Sequence, residues 1–217
     1  MNLNLNLSAT LNVFKLLIKP ALCLPHAAVS TFNDIPRPFS KAFAGSGRNE
    51  VDIRAVVLDK DDCFAYPETN EVYPSYTERF RQLQTEYPGR RLLIVSNTAR
   101  AVTYDRHGSL ANELETATGV PVLAHRVKKP GCGDEIMAYF KSHPEVGVTH
   151  PSQVAIVGDR LMTDMMLANM MGSWGLWIKD GVKPLNEKSV FSKLEQRLGP
   201  FLMARGFQAS NPQNLFE

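Results

Sequence analysis

The strongest constraint in this 217-residue sequence is a pair of carboxylates, Asp59 and Asp61, placed directly after the apolar run 53–58. A short buried strand that ends in two carboxylates, one residue apart, is one way to build a phosphoryl-transfer site. The first carboxylate can attack phosphorus, and the second can handle the proton of the leaving group. Acidic turns after strands are common, so the pattern needs support from other parts of the chain.

Three later segments repeat the same design, an apolar run followed by polar residues. They are residues 91–95 before Ser96 and Asn97, residues 120–124 before Lys128 and Lys129, and residues 153–157 before Asp159 and Asp164. Continuous runs of Val, Ile and Leu separated by helical stretches are typical of a parallel sheet covered on both faces. Ligands of such sheets bind beyond the carboxyl ends of the strands. We therefore expect the polar clusters to converge at one edge of the sheet.

The remaining pattern predicts alternating helices and strands. Helices are expected over residues 76–87, 109–118, 134–142, 163–171 and 188–198, and a further strand over residues 174–178. Alternation of this kind predicts an α/β fold with a Rossmann-like parallel sheet and helices on both faces. The tail 206–217 carries little pattern and is expected to be loosely ordered.

Composition indicates one ordinary globular domain with extensions. Hydrophobic residues make up 44% and charged residues 21% of the chain, which is enough for a single sizeable core. The net charge of +2 is too small to argue for nucleic-acid binding, and none is expected. The three cysteines are widely spaced and predict neither a disulfide framework nor a zinc site. The oligomeric state is left open.

The N-terminal residues 1–30 differ from the rest, because no acidic residue occurs before Asp34. On helical spacing one face carries five apolar residues and the opposite face carries polar residues and lysines. The apolar face consists of Leu3, Leu7, Leu11, Phe14 and Ile18. The stretch is too interrupted to span a membrane, but an amphipathic helix with lysines suits an anionic membrane surface. Two alternatives stay open, namely a helix packed on the protein's own core and a cleaved targeting peptide.

Taken together, the motifs resemble those of the haloacid-dehalogenase-like (HAD) phosphatases. Within that superfamily the chain closely resembles the mitochondrial phosphatidylglycerophosphate phosphatases of fungi. Residues 59–63 match the nucleophile motif, Ser96-Asn97 the phosphate-binding motif, Lys129-Pro130 the lysine motif, and Gly158 to Asp164 the metal-binding motif. The resemblance runs from about Thr31 to the C-terminal region, and we assign residues 31–205 to the phosphatase domain.

The resemblance implies a role for each cluster. Asp59 is expected to be the nucleophile and Asp61 the general acid and base; the acid role requires a protonated Asp61, which burial or neighbouring negative charge would favour. Mg²⁺ is expected on Asp59, Asp159 and the main-chain carbonyl of Asp61.

The other polar residues are expected to support these groups. Ser96 and Asn97 are expected to bind the phosphoryl group and Lys129 to stabilise its charge. Choosing Lys129 over Lys128 rests on the family's Lys-Pro pairing, and Lys128 is left to face solvent or substrate. Asp164 is expected to lie behind the metal and to orient water or the lysine, although it also suits the first turn of a helix.

The spacing of the motifs bears on the substrate. Residues 62–95 and 98–124 leave no room for a folded cap domain beyond the elements already assigned, so an uncapped site is expected. Such a site can admit a phosphate attached to something large, including a phospholipid head group. Nearby basic residues are candidates for contacting a second phosphate, or are ordinary surface charges. The candidates are Arg100, Arg106, His107, Arg126, Lys128 and Arg160.

The resemblance implies a Mg²⁺-dependent enzyme that converts phosphatidylglycerophosphate to phosphatidylglycerol for cardiolipin synthesis. It further implies a peripheral location on the matrix face of the mitochondrial inner membrane. Two alternatives stay open: an uncapped phosphatase that acts on a phosphoprotein or soluble ester, and a non-catalytic scaffold that binds anionic lipid.

Overall fold

The computed structural model describes residues 15–16, 18–44, 51–99, 105 and 107–213. Five strands form one sheet, namely β1 (Ala27–Val29), β2 (Ala55–Leu58), β3 (Leu92–Ile94), β4 (Val154–Gly158) and β5 (Trp174–Ile178). The order across the sheet is β1-β5-β4-β2-β3, and every pair is parallel. The predicted parallel α/β fold is therefore confirmed.

Five α-helices lie wholly within the described residues: α1 (Thr77–Glu86), α2 (Ser109–Thr118), α3 (Gly133–Lys141), α4 (Met166–Met171) and α5 (Val190–Ala204). The predicted helix over 109–118 and the strand over 174–178 agree with α2 and β5 in both bounds. The predicted helix over 163–171 is wrong in its first part, because a π-helical turn, Leu161–Met165, precedes α4. The last helix begins two residues later than predicted and continues to Ala204.

The strands separate two layers of core, because successive side chains of a strand point to opposite faces. On one face Val56 and Leu58 of β2 pack with Phe80 of α1 and Leu114 of α2. On the other face the core contains Val57 of β2 and side chains of α3 and α4; these are Ile136, Phe140, Leu167 and Ala168. Helices therefore lie on both faces of the sheet, as the apolar runs predict.

Two predicted features of the sheet differ from the structure. The strand predicted over 120–124 is wrong: a single β-bridge joins Val122 to Ile94. Pro121 has no N–H to extend a ladder, and the chain then leaves the sheet towards Lys129. In the opposite sense, β1 was not predicted, yet it forms an edge strand of the sheet beside β5. The sheet thus reaches into the segment 1–30.

Most of the predicted amphipathic helix lies outside the described residues, including Leu3, Leu7, Leu11 and Phe14. Of its described part, Leu16 packs against the cluster of Cys23, Leu161 and Trp177, whereas Ile18 is 82% exposed. None of the helices among the described residues is long and apolar enough to cross a membrane. The C-terminal tail contacts the segment just before β1, because the Ser210 carbonyl oxygen lies 2.9 Å from the His26 ring nitrogen Nε2.

Candidate active site

The predicted site residues converge because three neighbouring strands end beside one another. Asp59 follows β2, Ser96 follows β3 after Val95, and Asp159 follows β4; β2 lies between β3 and β4 in the sheet. The register pairs Leu58 with both Ile94 and Val157, so the three chain ends leave the sheet at the same level. Their side chains meet at the carboxyl edge, where parallel sheets bind ligands.

Lys129 lies at the centre of a buried charge cluster. Its Nζ is 2.6 Å from Asp59 Oδ1 and 2.7 Å from Asp164 Oδ1, and the residue is 2% exposed. Burial by itself would lower the pKa of Lys129, but Asp164 and Asp59 outweigh it and raise that pKa. Lys129 is therefore a fixed positive charge beside the predicted nucleophile.

The carboxylates of the cluster share one buried space. Asp59, Asp159 and Asp164 each offer an oxygen within 4.8 Å of the others. Burial raises the pKa of Asp59 to about 7, with Lys129 opposing the rise and Asp164 adding to it. Burial, followed by the charges of Asp59 and Asp164, raises the pKa of Asp159 well above its ordinary value. The Lys129 charge opposes the pKa rise at Asp59 and the Arg160 charge opposes it at Asp159, and a further cation among the three carboxylates would favour their ionised forms.

The hydrogen bonds divide the three carboxylates into two kinds. Both oxygens of Asp164 are engaged, Oδ1 by Lys129 Nζ and Oδ2 by the Arg160 amide at 3.1 Å. Asp159 Oδ1 is buried and has no hydrogen-bond partner. Asp159 thus has an oxygen that is free to bind a cation, whereas both oxygens of Asp164 are engaged.

Close packing fixes Asp164 against the sheet. A Cβ at Gly158 would overlap the Asp164 carboxylate, so only glycine permits this approach. The Asp159 backbone is held from the other side, because Trp177 Nε1 donates to its carbonyl oxygen at 2.9 Å. Arg160 in turn bonds Glu195 of α5 at 2.7 Å. The loop after β4 is therefore tied to both β5 and α5.

Asp61 occupies a different environment from the one expected. Its side chain is 31% exposed and Oδ1 lies 2.6 Å from Lys60 Nζ, so Asp61 is less buried than Asp59 and has a lysine as its partner. Thr98 Oγ1 donates to Asp61 Oδ2 at 3.2 Å. Neither Lys60 nor Thr98 is recognisable as a site residue in the sequence, because both residue types are common on surfaces. Only the path of the turn brings them to Asp61.

Ser96 and Asn97 lie at the end of β3 but take different positions. Ser96 is fully buried, and its Oγ accepts the Thr98 and Ala99 amides at 3.2 and 3.3 Å. The hydroxyl thus closes a turn instead of lining the cleft. Asn97 lines the cleft, and its Oδ1 accepts the Lys129 amide at 2.9 Å. Asn97 therefore connects the phosphate-binding motif to the lysine motif.

A buried histidine joins the same two segments. The ring nitrogens of His125 lie 2.7 Å from the Ser96 carbonyl oxygen and 2.8 Å from the Val127 carbonyl oxygen. His125 is almost fully buried, so these contacts hold the chain between β3 and Lys129 in place. Sequence reasoning missed it, because a single histidine after an apolar run carries no recognisable signal.

The carboxylates open into a cleft of about 300 Å³. Asp59, Asp61, Asn97, Lys129 and Asp159 line one part of it, and residues of the segment from Lys183 to Ser192 form a second wall. No motif in the sequence marks that second wall as part of the site. Of the predicted substrate-binding residues, Lys128 and Arg126 do not line this cleft, and Arg126 is exposed. Arg100 lies outside the described residues.

A buried ion pair fixes the second wall. Lys188 Nζ lies 2.6 Å from Asp62 Oδ2, and Asp62 Oδ1 accepts the amides of Val182 and Lys183 at 2.9 and 2.6 Å. Asp62 is therefore a buried and paired acid. Its carboxylate joins the turn after β2 to a segment more than one hundred residues later.

Comparison with known proteins agrees with this geometry. The family model described as mitochondrial PGP phosphatase matches residues 7–183, which include the three carboxylates and Lys129. The chain belongs to this family. A Saccharomyces cerevisiae protein, the mitochondrial phosphatidylglycerophosphatase GEP4, is 46% identical over 198 residues, 91% of this chain and 99% of that protein.

More distant members of the family are also similar. A Schizosaccharomyces pombe protein named as a probable mitochondrial phosphatidylglycerophosphatase is 35% identical over 75% of this chain and 77% of its own length. A chloroplastic phosphatidylglycerophosphate phosphatase 1 from Chlamydomonas reinhardtii is 35% identical over 70% of this chain and 51% of its own length. The predicted resemblance to the fungal enzymes is thus confirmed.

Proposed function

We propose that this PGP phosphatase family member hydrolyses the terminal phosphate of phosphatidylglycerophosphate and yields phosphatidylglycerol and phosphate. The observation that carries the proposal is the Lys129 ammonium, held between Asp59 and Asp164 beside the unpaired oxygen of Asp159. This arrangement provides a nucleophile, a fixed positive charge and an anionic ligand within one cleft. The relatives named for this substrate supply its identity.

The residues present fit a divalent cation. Asp59 and Asp159 would hold it with the main-chain carbonyl of Asp61, because Mg²⁺ prefers oxygen ligands and few protein carboxylates. The free, buried Asp159 Oδ1 supports this assignment. When bound, Mg²⁺ would neutralise the carboxylates and stabilise charge on the transferring phosphoryl group.

The reaction proceeds in two displacements at phosphorus. An oxygen of Asp59 forms a bond to phosphorus while the bond to the glycerol oxygen breaks, and Asp61 gives its proton to that leaving oxygen. Water then attacks the aspartyl-phosphate, Asp61 takes the proton, and the bond from Asp59 to phosphorus breaks. Since Thr98 and Lys60 contact Asp61, they position its carboxyl group for both proton transfers.

Lys129 and Asn97 bind the phosphoryl oxygens in this scheme. Lys129 supplies a point charge at a place where Asp164 prevents the side chain from moving. The Asn97 side chain lines the cleft with its Oδ1 engaged by the Lys129 amide, so its amide nitrogen remains the group that donates to a phosphoryl oxygen. Ser96 acts indirectly, through the turn that its hydroxyl closes.

The relatives and the cleft support a proposal for the location. Both fungal relatives are mitochondrial proteins by name, and we assign this chain to mitochondria, peripherally on the matrix face of the inner membrane. Residues 1–30 would contribute to membrane attachment through their amphipathic pattern. An uncapped site, as the motif spacing predicts, would leave room for a head group that stays attached to its lipid.

The test is Mg²⁺-dependent phosphate release from phosphatidylglycerophosphate in mixed micelles. Asp59→Asn removes the nucleophile, and Asp52→Asn is a matched control because Asp52 is an exposed acid just before the same strand. We expect wild type and the control to release phosphate, and we expect Asp59→Asn or chelation to abolish release. Release from an aryl phosphate but not from the lipid would reject the substrate, and no release from either would favour a lipid-binding scaffold.

A further inference from the structure

Four large apolar side chains beside the cleft face solvent. Leu185, Val190, Phe191 and Leu194, here called the rim patch, are between 54% and 80% exposed. Leu185, Val190 and Phe191 belong to the segment that forms the second wall of the cleft, and Leu194 follows that segment on α5. Single exposed apolar residues are ordinary on protein surfaces, but a cluster next to a functional opening marks an interaction site.

The rim patch lies only partly on the packing side of its helix. α5 packs through the side where Glu195 and Gly199 are buried and where Leu198 and Leu202 contact the cluster around Trp177. By helical spacing Phe191 lies one turn before Glu195 on that side and is nevertheless exposed, whereas Val190 lies well away from it. Val190 and Leu194 are one helical turn apart and therefore share a face. The first turn of α5 thus carries apolar side chains beyond those that its own fold requires.

Basic residues border the rim patch. Lys193 and Arg197 lie on α5 next to the face of Val190 and Leu194, and Lys183 stands at the cleft with its ammonium over the Tyr66 ring, 5.4 Å from the centroid. Apolar residues flanked by lysine and arginine suit a surface with an apolar interior and anionic head groups. A second protein surface would need matching anionic groups around an apolar centre.

We infer that the rim patch inserts into an anionic phospholipid bilayer and holds the mouth of the cleft against it. The inference rests on the proposed function, because a lipid phosphate must pass from the bilayer to Asp59 without its acyl chains leaving the membrane. The rim patch then lies where the substrate passes from the bilayer into the cleft. It is a different membrane contact from the one proposed for residues 1–30. Arg160 and Glu195 connect α5 to the loop of Asp159, so the rim patch and the carboxylates keep a fixed separation.

The test compares two substrates and two matched variants of the full-length chain. Phe191→Glu/Leu194→Glu places acids in the rim patch. Phe201→Glu changes the same residue type on the same helix, ten residues later and about 15 Å along the axis, where the side chain is also exposed. Each variant is assayed on short-chain phosphatidylglycerophosphate below its micelle concentration and on the long-chain lipid in vesicles rich in phosphatidylglycerol.

We expect the rim variant to lose about tenfold or more in kcat/KM on vesicles, because charged groups replace inserted apolar ones, and to match wild type on the monomeric substrate. Phe201→Glu should match wild type on both. Equal vesicle activity in the rim variant would overturn the inference, as would an equal loss on both substrates in a variant that melts like wild type. The inference would also be overturned if wild type were a dimer and the rim variant a monomer while the ratio of vesicle to monomer activity stayed unchanged. The rim patch would then be a contact between two copies of the chain.

The docking surface and the proposed function can be rejected independently of each other. If wild type hydrolyses neither substrate, the function is rejected, and vesicle flotation still tests the docking surface. Loss of flotation in the rim variant, with flotation retained by Phe201→Glu, would support the surface without the activity. Unchanged flotation of the rim variant in that case would reject the surface as well.

Discussion

At the scale of single residues, the chemistry depends on Lys129. Its ammonium is the one cation placed by the described structure between two buried carboxylates, Asp59 and Asp164. Removing one member of a buried ion pair leaves an uncompensated charge, which costs more than the pair itself contributes. The neighbouring Lys128 lies partly buried and outside the cleft lining, so the two lysines provide a direct comparison.

We predict that Lys129→Met lowers kcat/KM by about a hundredfold or more, because the charge that stabilises the phosphoryl group is lost. The same change should lower the free energy of unfolding by about 3–5 kcal/mol in metal-free protein. Lys128→Met should leave kcat/KM within a few-fold of wild type. Steady-state kinetics and urea denaturation measure both effects. Comparable losses from the two substitutions would contradict the assignment of Lys129.

The sequence predicted the identities at the strand ends better than their contacts. Asp59 and Asp159 could be placed because each follows an apolar strand, and parallel strands bring such positions together. Lys129 was chosen on the family's Lys-Pro pairing and does not follow a strand. The inward turn of the Ser96 hydroxyl and the pairing of Asp61 with Lys60 were not predictable. Both depend on the path of a short turn, and a polar side chain has several partners of similar energy within reach.

At the scale of elements, the ion pair of Asp62 and Lys188 joins the turn after β2 to the second wall of the cleft. Asp62 also accepts two backbone amides from that wall, at Val182 and Lys183. The wall segment between β5 and α5 contains only a short 3₁₀ turn, Leu185–Glu187. Because the segment has little regular structure of its own, its position depends strongly on the Asp62 carboxylate.

We predict that Asp62→Ala loosens this wall and lowers the free energy of unfolding by about 3 kcal/mol, since the Lys188 charge is left buried without its partner. Limited proteolysis should then cut within residues 181–189 faster than in wild type. Asp180→Asn is the control, because Asp180 is an exposed acid at the end of β5. A double-mutant cycle with Lys188→Met should show that the two losses are not additive, whereas additive losses would argue against a direct pair.

Helices and strands were predictable where the apolar pattern was strong and the signals for both ends lay close together in the sequence. β5 and α2 were predicted in both bounds, since the Trp174–Ile178 run and the Gly119 stop are local signals. β1 was missed because Ala-Ala-Val is too short to show a period, and its place is decided by pairing with β5 nearly 150 residues later. The prediction of a strand over 120–124 failed although its apolar run is clear, because this segment forms only a single bridge with β3.

At the scale of the whole molecule, β1 changes where the folded unit begins. Ala27–Val29 pair with Leu176–Ile178, and Cys23 and Leu24 are buried just before them. Asn169 Nδ2 also donates to the carbonyl oxygens of Leu22 and Leu24, at 3.0 and 2.8 Å. Residues 20–30 therefore belong to the core of the phosphatase domain, whatever the preceding residues contribute at a membrane.

We predict different outcomes for two N-terminal deletions. Removing residues 1–30 deletes an edge strand and the buried side chains of Cys23 and Leu24, each of which contributes about 1–3 kcal/mol. This loss takes up much of the roughly 5–15 kcal/mol that stabilises an ordinary domain. The truncated chain should aggregate or melt far below wild type, and it should be inactive on the monomeric short-chain substrate as well as on vesicles.

Removing only residues 1–14 keeps every contact described for residues 20–30. This shorter deletion should melt within a few degrees of wild type and hydrolyse the monomeric substrate at the wild-type rate. If residues 1–14 attach the protein to membranes, its activity on vesicles should fall while its activity on monomers does not. Thermal melting with both assays separates the two deletions. A chain lacking residues 1–30 that melts and turns over monomers like wild type would show that β1 is dispensable, and the folded unit would then begin after residue 30.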